Sequence, residues 1–185
     1  MTVTILRTPI SGWVLLVCVA FSPGLLAQNT SQQGVISVSD QAKLIQIPNA
    51  KQPAPNLLTG GQPTEADLRA AAAAGYKTVI NLRPSSELPD IEESGLVQSL
   101  GMDFISIPVG GAADLSKENA HRLDRALANA QPGPVMIHCA SGNRVGALLA
   151  IRAHAIEGKS AEQALEFGKA AGLTTLEDAV KQHLK

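Results

Sequence analysis

Residues 135–144, Val135-Met136-Ile137-His138-Cys139-Ala140-Ser141-Gly142-Asn143-Arg144, decide how this chain reads. The four residues before the cysteine form a short apolar run, bounded upstream by Pro132-Gly133-Pro134, of the kind that makes a strand buried on both faces. Downstream, Val145, Leu148, Leu149 and Ile156 recur at helical spacing, with Ile151 and Ala155 beside them, so a helix buried on more than one side follows. Cys139 to Arg144 therefore turn a strand into a helix. Gly142 lets such a turn curl into a nest of backbone N–H groups. A free thiol ionises near pH 8.5, and a helix N-terminus with a nearby cation lowers that value. The same amides and a planar guanidinium at Arg144 also suit a tetrahedral oxyanion above the sulfur.

Upstream of this turn, strand and helix signals alternate. Asn56 to Thr59 reads as a short strand. Pro63-Thr64-Glu65-Ala66-Asp67 opens a capped helix that Gly75 ends. Tyr76–Leu82 reads as a strand closed by Arg83-Pro84, and a helix over 90–100 is followed by a strand over 102–109. A Gly110-Gly111-Ala112-Ala113-Asp114 loop leads to Ser116, which caps a helix to about Ala130. Ser160 with Gln163 makes a capping box for a helix to Gly172, and Thr175 with Asp178 starts a last helix. This alternation predicts an α/β fold, a mainly parallel sheet with helices on both faces.

Residues 1–27 read as an export signal: Arg7 is the only charge, Val14–Phe21 is apolar, Pro23-Gly24 breaks the run, and Ala27 is a small residue suited to cleavage. The alternative is a membrane anchor, since the uncharged stretch from Thr8 to Ala27 is close to the ~20 residues of a spanning helix. The break favours cleavage, with release into the periplasm or beyond and no stable membrane insertion afterwards. Residues 28–55 are polar and proline-bearing, an exposed leader able to lay one edge strand on the domain, and residues 56–185 form that domain.

The chain has 15 Lys and Arg against 16 Asp and Glu; without Arg7 the balance is 14 against 16. That excludes an electrostatic footprint for nucleic acid. Of two cysteines, Cys18 leaves with the signal, so Cys139 is a lone thiol in an oxidising compartment. His121, His154 and His183 fall on separate helices, and no Cys-x-x-Cys or His-x-x-x-His pair suggests a metal, so no metal or organic cofactor is expected.

Four segments in order carry a resemblance: Thr59-Gly60-Gly61-Gln62-Pro63-Thr64, Thr78-Val79-Ile80-Asn81-Leu82-Arg83-Pro84, Ile107-Pro108-Val109 and His138–Arg144. Together they resemble the bacterial beta-lactamase hydrolase-like protein, phosphatase-like domain family, a branch of the dual-specificity phosphatase fold within the protein tyrosine phosphatase superfamily. The resemblance implies that Cys139 attacks phosphorus to give a phosphocysteine. Arg144 and the amides of Ala140, Ser141, Gly142 and Asn143 then hold the oxyanion, and an aspartate protonates the leaving group and activates water. Asp114 is the first choice for that acid, with Asp90 and Glu87 as fallbacks. His138 is expected to orient the loop and tune the thiolate, or else to be a plain strand residue. Ser141 and Asn143 donate to the ligand or hold the loop. Arg83 is a pocket wall or a structural anchor, and Gln62 faces the pocket or forms the turn. The substrate is a small-molecule or protein phosphoester.

Two departures keep other readings open. Tyrosine and dual-specificity phosphatases place five residues between Cys and Arg, whereas four stand here, and the Ser or Thr that follows that Arg is Val145. A C-x4-R loop with a central glycine resembles the rhodanese loop, whose cysteine carries a persulfide, so sulfur transfer is the first alternative. A phosphatase-like module that binds an anion or partner without turnover is the second.

Overall fold

Val135–His138, the predicted strand beneath the cysteine, is the central strand β5 of a five-stranded sheet. The computed structural model describes residues 45–87 and 92–185. The sheet runs in the order β1 (Lys51–Ala54), β2 (Leu57–Gly60), β5, β3 (Thr78–Asn81), β4 (Asp103–Ser106). All neighbours are parallel except β1, which pairs antiparallel with β2 at one edge. β5 hydrogen-bonds to β2 and β3 at once, so its C-terminal end lies at the middle of the sheet. Outside the carboxyl ends of parallel strands is where open α/β sheets bind ligands.

Strand alternation divides the core. Val135 and Ile137 on β5, Cys139 just past its end, and Ile80 and Leu82 beside them face one layer, formed by α3 (Lys117–Ala128), α4 (Asn143–Ala155), α5 (Ala161–Ala170) and α6 (Glu177–His183). Met136 and Val79 face the other, with Leu68 and Ala71 of α1 (Glu65–Ala73) and Val97 of α2 (Glu93–Ser99). Period-two alternation thus sends Cys139 and its neighbour His138 to opposite faces.

The sequence's cap signals hold at three helix starts. Thr64 and Asp67 close a capping box on α1, Ser116 accepts from Asn119 N–H on α3, and Ser160 with Gln163 boxes α5. At α6 the expected Thr175 cap is absent and Leu176 takes the position without a side-chain bond. The Thr175 hydroxyl instead accepts from Asn143 Nδ2 at 2.7 Å, a tie to the start of α4.

α4 is buried on most of its circumference. At Gly146 a Cβ would lie 2.1 Å from Leu173 N and 2.5 Å from Gly168 O, so the helix that follows the cysteine is seated against the backbone of α5 and its exit.

The domain begins earlier than residue 56. Ile47 is buried, Gln46 N–H donates to the Asp67 carboxylate at 2.7 Å, and β1 completes the sheet edge. β1 is the edge strand expected of this leader, and most of residues 45–55 are exposed as expected, Ile47 being buried. Apolar residues two apart, Ile45 and Ile47, were too short a signal to weigh against the prolines around them. The proposed signal, the remainder of the leader and Asp90 lie outside the described residues.

Candidate active site

The ladder of β5 continues one residue past the strand, where Cys139 N–H donates to Gly60 O at 3.2 Å, and the chain then leaves the sheet. The carbonyls of the next two residues turn outward: Ala140 O accepts from Gln62 N–H at 3.4 Å, and Ser141 O from Asn49 Nδ2 at 3.1 Å. Gly142 sits at φ +90°, a left-handed conformation that costs a side-chain-bearing residue about 1–2 kcal/mol. That reversal aims the Gly142 N–H back at the sulfur, 3.1 Å from Cys139 Sγ. Asn143 and Arg144 then open α4, and the first N–H groups of a helix have no intrahelical acceptor. Cys139 itself is buried.

Arg144 is 9% exposed, and its donors can be accounted for. Nη1 donates to Glu87 Oε1 at 2.8 Å and to Val109 O at 2.6 Å, while Nη2 donates to Glu87 Oε2 at 2.8 Å. A guanidinium has five N–H groups. Among the described residues these three bonds leave Nε–H and the second Nη2–H, the pair along one edge of the fork, with Cys139 a further neighbour of the guanidinium. The hydrogen bonds that Arg144 donates to Glu87 raise its pKa; burial opposes this, and the neighbouring Cys139 adds to the rise.

Glu87 is held in turn. Arg83 Nε donates to Glu87 Oε2 at 3.2 Å, Arg83 Nη2 to the Glu87 carbonyl at 2.6 Å, and Arg83 Nη1 to Gln62 Oε1 at 2.8 Å. Arg144 chiefly, with help from Arg83 and against partial burial, lowers the Glu87 pKa. Both carboxylate oxygens are engaged by Arg144 and Arg83, which counts against Glu87 as the fallback acid. Its place is behind Arg144. Arg83 is the anchor of this arrangement, and Gln62 braces it from the turn after β2.

Asp114 ends the loop that starts at Val109, the residue whose carbonyl receives Arg144. Its carboxylate accepts from Gly110 N–H at 2.7 Å, and its carbonyl from Asn119 Nδ2 at 2.8 Å. The loop is thus tied to the site through Val109, and the Asp114 carboxylate closes the loop on itself.

Of the remaining residues singled out, Asn143 holds the loop: besides Thr175, its Oδ1 accepts from Thr174 N–H at 2.8 Å. His138 is fully buried on the opposite face of the sheet from Cys139, with Nε2 at 2.8 Å from Glu93 Oε1. This contact is short but off the hydrogen-bond axis, and Nδ1 has no partner among the described residues. Asn81 Nδ2 donates to the other Glu93 oxygen at 2.9 Å, and Asn81 Oδ1 accepts from Arg83 N–H at 2.7 Å. Sequence reading missed Glu93 and Asn81. The one available signal was a polar Asn at the end of an otherwise apolar strand, a residue that must find partners once buried.

Residues 51–156 match the family model described as beta-lactamase hydrolase-like protein, phosphatase-like domain. Among curated proteins, the beta-lactamase hydrolase-like protein of Agrobacterium fabrum is 33% identical over 121 residues, 63% of this chain and 27% of that one. The protein of the same description from Xylella fastidiosa is 31% identical over 114 residues, 60% of this chain and 26% of that one. The chain thus spans about a quarter of the length of the curated relatives it matches. Among solved structures, a candidate phosphatase (DUF442) from Shewanella putrefaciens CN-32 superposes with a TM-score of 0.61 at 24% identity, over 80% of this chain and 96% of that one. TpbA of P. aeruginosa, crystallised in complex with phosphotyrosine, superposes at 0.57 with 18% identity, over 74% and 83%. These likenesses show the fold that the strand order and the C-terminal-edge loop already describe, and the family match covers more than half of the sequence. The chain belongs to the beta-lactamase hydrolase-like protein, phosphatase-like domain family, and its folded unit is that phosphatase-like domain.

Proposed function

We propose that this domain is an exported, cysteine-dependent phosphatase that cleaves a phosphoester through a phosphocysteine. The observation that carries the reading is the unused edge of Arg144. Among the described residues Glu87 and Val109 take three donors, so two parallel N–H groups remain on a guanidinium that neighbours Cys139, the fork that matches two oxygens of a phosphoryl group. Gly142 N–H is already on Cys139 Sγ, and the opening amides of α4 add further donors.

In this mechanism the Cys139 sulfur attacks phosphorus, the P–O bond to the leaving group breaks, and the equatorial oxygens gather charge against donors that are already oriented. Asp114 is the proposed proton donor to the leaving oxygen and the base for the water that cleaves the S–P bond. Its carboxylate must leave Gly110 N–H to do so, a swing within a loop that begins with two glycines. His138 supports the cysteine from behind the sheet. Ala140, Ser141 and Asn143 contribute backbone N–H groups, their carbonyls or side chains being committed elsewhere. Small-molecule and protein phosphoesters are both admitted as substrates. Export rests on the signal-like residues 1–27.

One observation favours a second reading. With four residues between Cys139 and Arg144, the loop has one amide fewer than a five-residue loop, and Val145 supplies no hydroxyl to help the thiolate leave. Both features suit a persulfide-bearing, rhodanese-like sulfur carrier. Hydrolysis of an activated aryl phosphate, compared with sulfur transfer from thiosulfate to cyanide, separates the two. Phosphate release abolished by Cys139→Ser and cut at least tenfold by Arg144→Lys supports the phosphatase. Cyanide-dependent thiocyanate formation without phosphate release refutes it.

A further inference from the structure

The loop after β5 is held from outside by a segment that the mechanism above leaves unused. Residues 45–50 cross the turn that follows β2 and then enter β1. Ile47 is buried, and Pro48 O accepts from Gly61 N–H at 2.7 Å. The turn carries glycines where this segment crosses it. A Cβ at Gly60 would lie 2.6 Å from Ile47 Cδ1, and one at Gly61 would lie 2.9 Å from Pro48 Cβ and 2.8 Å from Ala140 O. The segment therefore rests on the turn and the turn on the loop, and the next side chain, Asn49, reaches the loop itself. Its Nδ2 donates to Ser141 O at 3.1 Å. Asn49 stands at φ +54°, and among the described residues it is the one non-glycine with positive φ. Asparagine occupies that left-handed region more readily than most side-chain-bearing residues do.

We propose that Asn49 is a positioning residue for the loop, holding the Ser141 carbonyl outward so that the Gly142 N–H stays turned into the site. The proposal rests on reading that loop as the phosphate-binding element. A trans peptide is planar, so its carbonyl and the following N–H point in opposite directions. The Ser141–Gly142 peptide is thus one rigid unit, with the Asn49 amide on its oxygen and Cys139 Sγ 3.1 Å from its nitrogen. The unit before it is held in the same way: Gln62 N–H takes Ala140 O at 3.4 Å, which directs the Ser141 N–H to the other side.

The two units differ in how easily they turn over. The second one leads into a glycine, for which both signs of φ are open, so a flip of the Ser141–Gly142 peptide meets little steric resistance. A flipped unit would present a carbonyl oxygen to an incoming phosphoryl oxygen where a donor is needed. Among the described residues no backbone N–H reaches Ser141 O, so the Asn49 amide is the group that opposes the flip. The family match starts at residue 51, so this tether stands outside the part of the chain that the family likeness covers.

The test is a titration of the 15N-labelled full chain with inorganic phosphate, followed on the loop amides by NMR, with melting temperatures measured alongside. Asn49→Gly removes the amide and keeps a residue at ease in the left-handed region. The expected result is a melting temperature near wild type, a Gly142 amide resonance moved from its wild-type position, and weaker phosphate binding. The Kd should rise about two- to fivefold, the upper figure being roughly the weight of one neutral hydrogen bond in an equilibrium. Asn49→Ala adds backbone strain, so it should melt below Asn49→Gly yet bind phosphate no more weakly. An unmoved Gly142 resonance with an unchanged Kd in Asn49→Gly would mean that water serves Ser141 O as well as Asn49 does. Phosphate affinity that falls only in Asn49→Ala would make Asn49 a residue that shapes the turn and nothing more. Either outcome overturns the proposal. The Gly142 resonance is read without ligand, so a wild type that binds no phosphate would sink the phosphatase reading while that resonance still decides the role of Asn49.

Discussion

Replacing Glu87 with alanine removes the carboxylate that fixes Arg144, and the structure sets the size of the effect. Two charge-assisted hydrogen bonds of 2.8 Å are lost, each worth roughly 1.5–3 kcal/mol when well shielded. Shielding is incomplete, because the Glu87 side chain is 31% exposed, and Arg144 keeps its bond to Val109 O. Discounted for water at the exposed side, the expected loss of folding stability is about 1–3 kcal/mol. The catalytic cost is a separate quantity. Without Glu87 the guanidinium swings about its Val109 bond, and its free edge no longer faces the sulfur. A loss of 10- to 100-fold in kcat/KM corresponds to about 1.4–2.7 kcal/mol of transition-state stabilisation.

The pH dependence has a definite sign. The Glu87 pKa is lowered in the folded state, so its contribution is fully present above the ordinary carboxylate value of about 4.3 and is lost as pH falls through the lowered one. The stability gap between wild type and Glu87→Gln should be flat near neutrality and narrow only below about pH 4. Urea unfolding across pH, paired with aryl phosphate kinetics, measures both quantities. If Glu87→Ala matches wild type in stability and in kcat/KM, Arg144 is not held by this carboxylate in solution, and the donor accounting behind the proposed function is wrong.

Three further substitutions probe the elements that shape the loop. Gly142→Ala places a Cβ on a residue at φ +90° and 3.3 Å from Gly60 Cα, so unfolding midpoints should report a loss of about 1–2 kcal/mol, with slower Cys139 alkylation as the Gly142 N–H turns off the sulfur. Gly146→Ala drives a methyl into Leu173 N and Gly168 O, both backbone atoms that cannot step aside; thermal melting should show destabilisation of about 3 kcal/mol or more. Asp114→Asn tests the general acid: kcat should fall about 100-fold or more for an alkyl phosphate and far less for a nitrophenyl ester, whose leaving group needs no proton. Equal losses on both esters would remove Asp114 from that role.

Much of the fold was legible because its signals are local. The bounded apolar run at Val135–His138, the capping boxes at Thr64 and Ser160 and the cap at Ser116 fix strand and helix starts from a few residues each. The cysteine and arginine of the loop were legible for the same reason. What stayed hidden depends on contacts between segments far apart in sequence. Glu87 lies 57 residues from Arg144, and it was read as an acid because a carboxylate near a site is compatible with either job until its partner is known. Glu93 and His138 meet only because β5 sends His138 to the α2 face, an outcome of strand register that periodicity predicts for side but not for partner. Thr175 looked like a helix cap by spacing and was claimed instead by Asn143, which competes for the same hydroxyl from another helix.

The account's central claim is that phosphorus becomes bonded to the Cys139 sulfur. The direct measurement is the mass of the Cys139 peptide after the protein is mixed with an activated aryl phosphate and quenched in acid within one turnover. The account predicts a fraction of that peptide heavier by one phosphoryl group, absent in Cys139→Ser and accumulating in Asp114→Asn, where water is no longer activated. Phosphate release with no adduct at any quench time and with Cys139→Ser fully active, or an adduct of sulfur alone after thiosulfate, would contradict it.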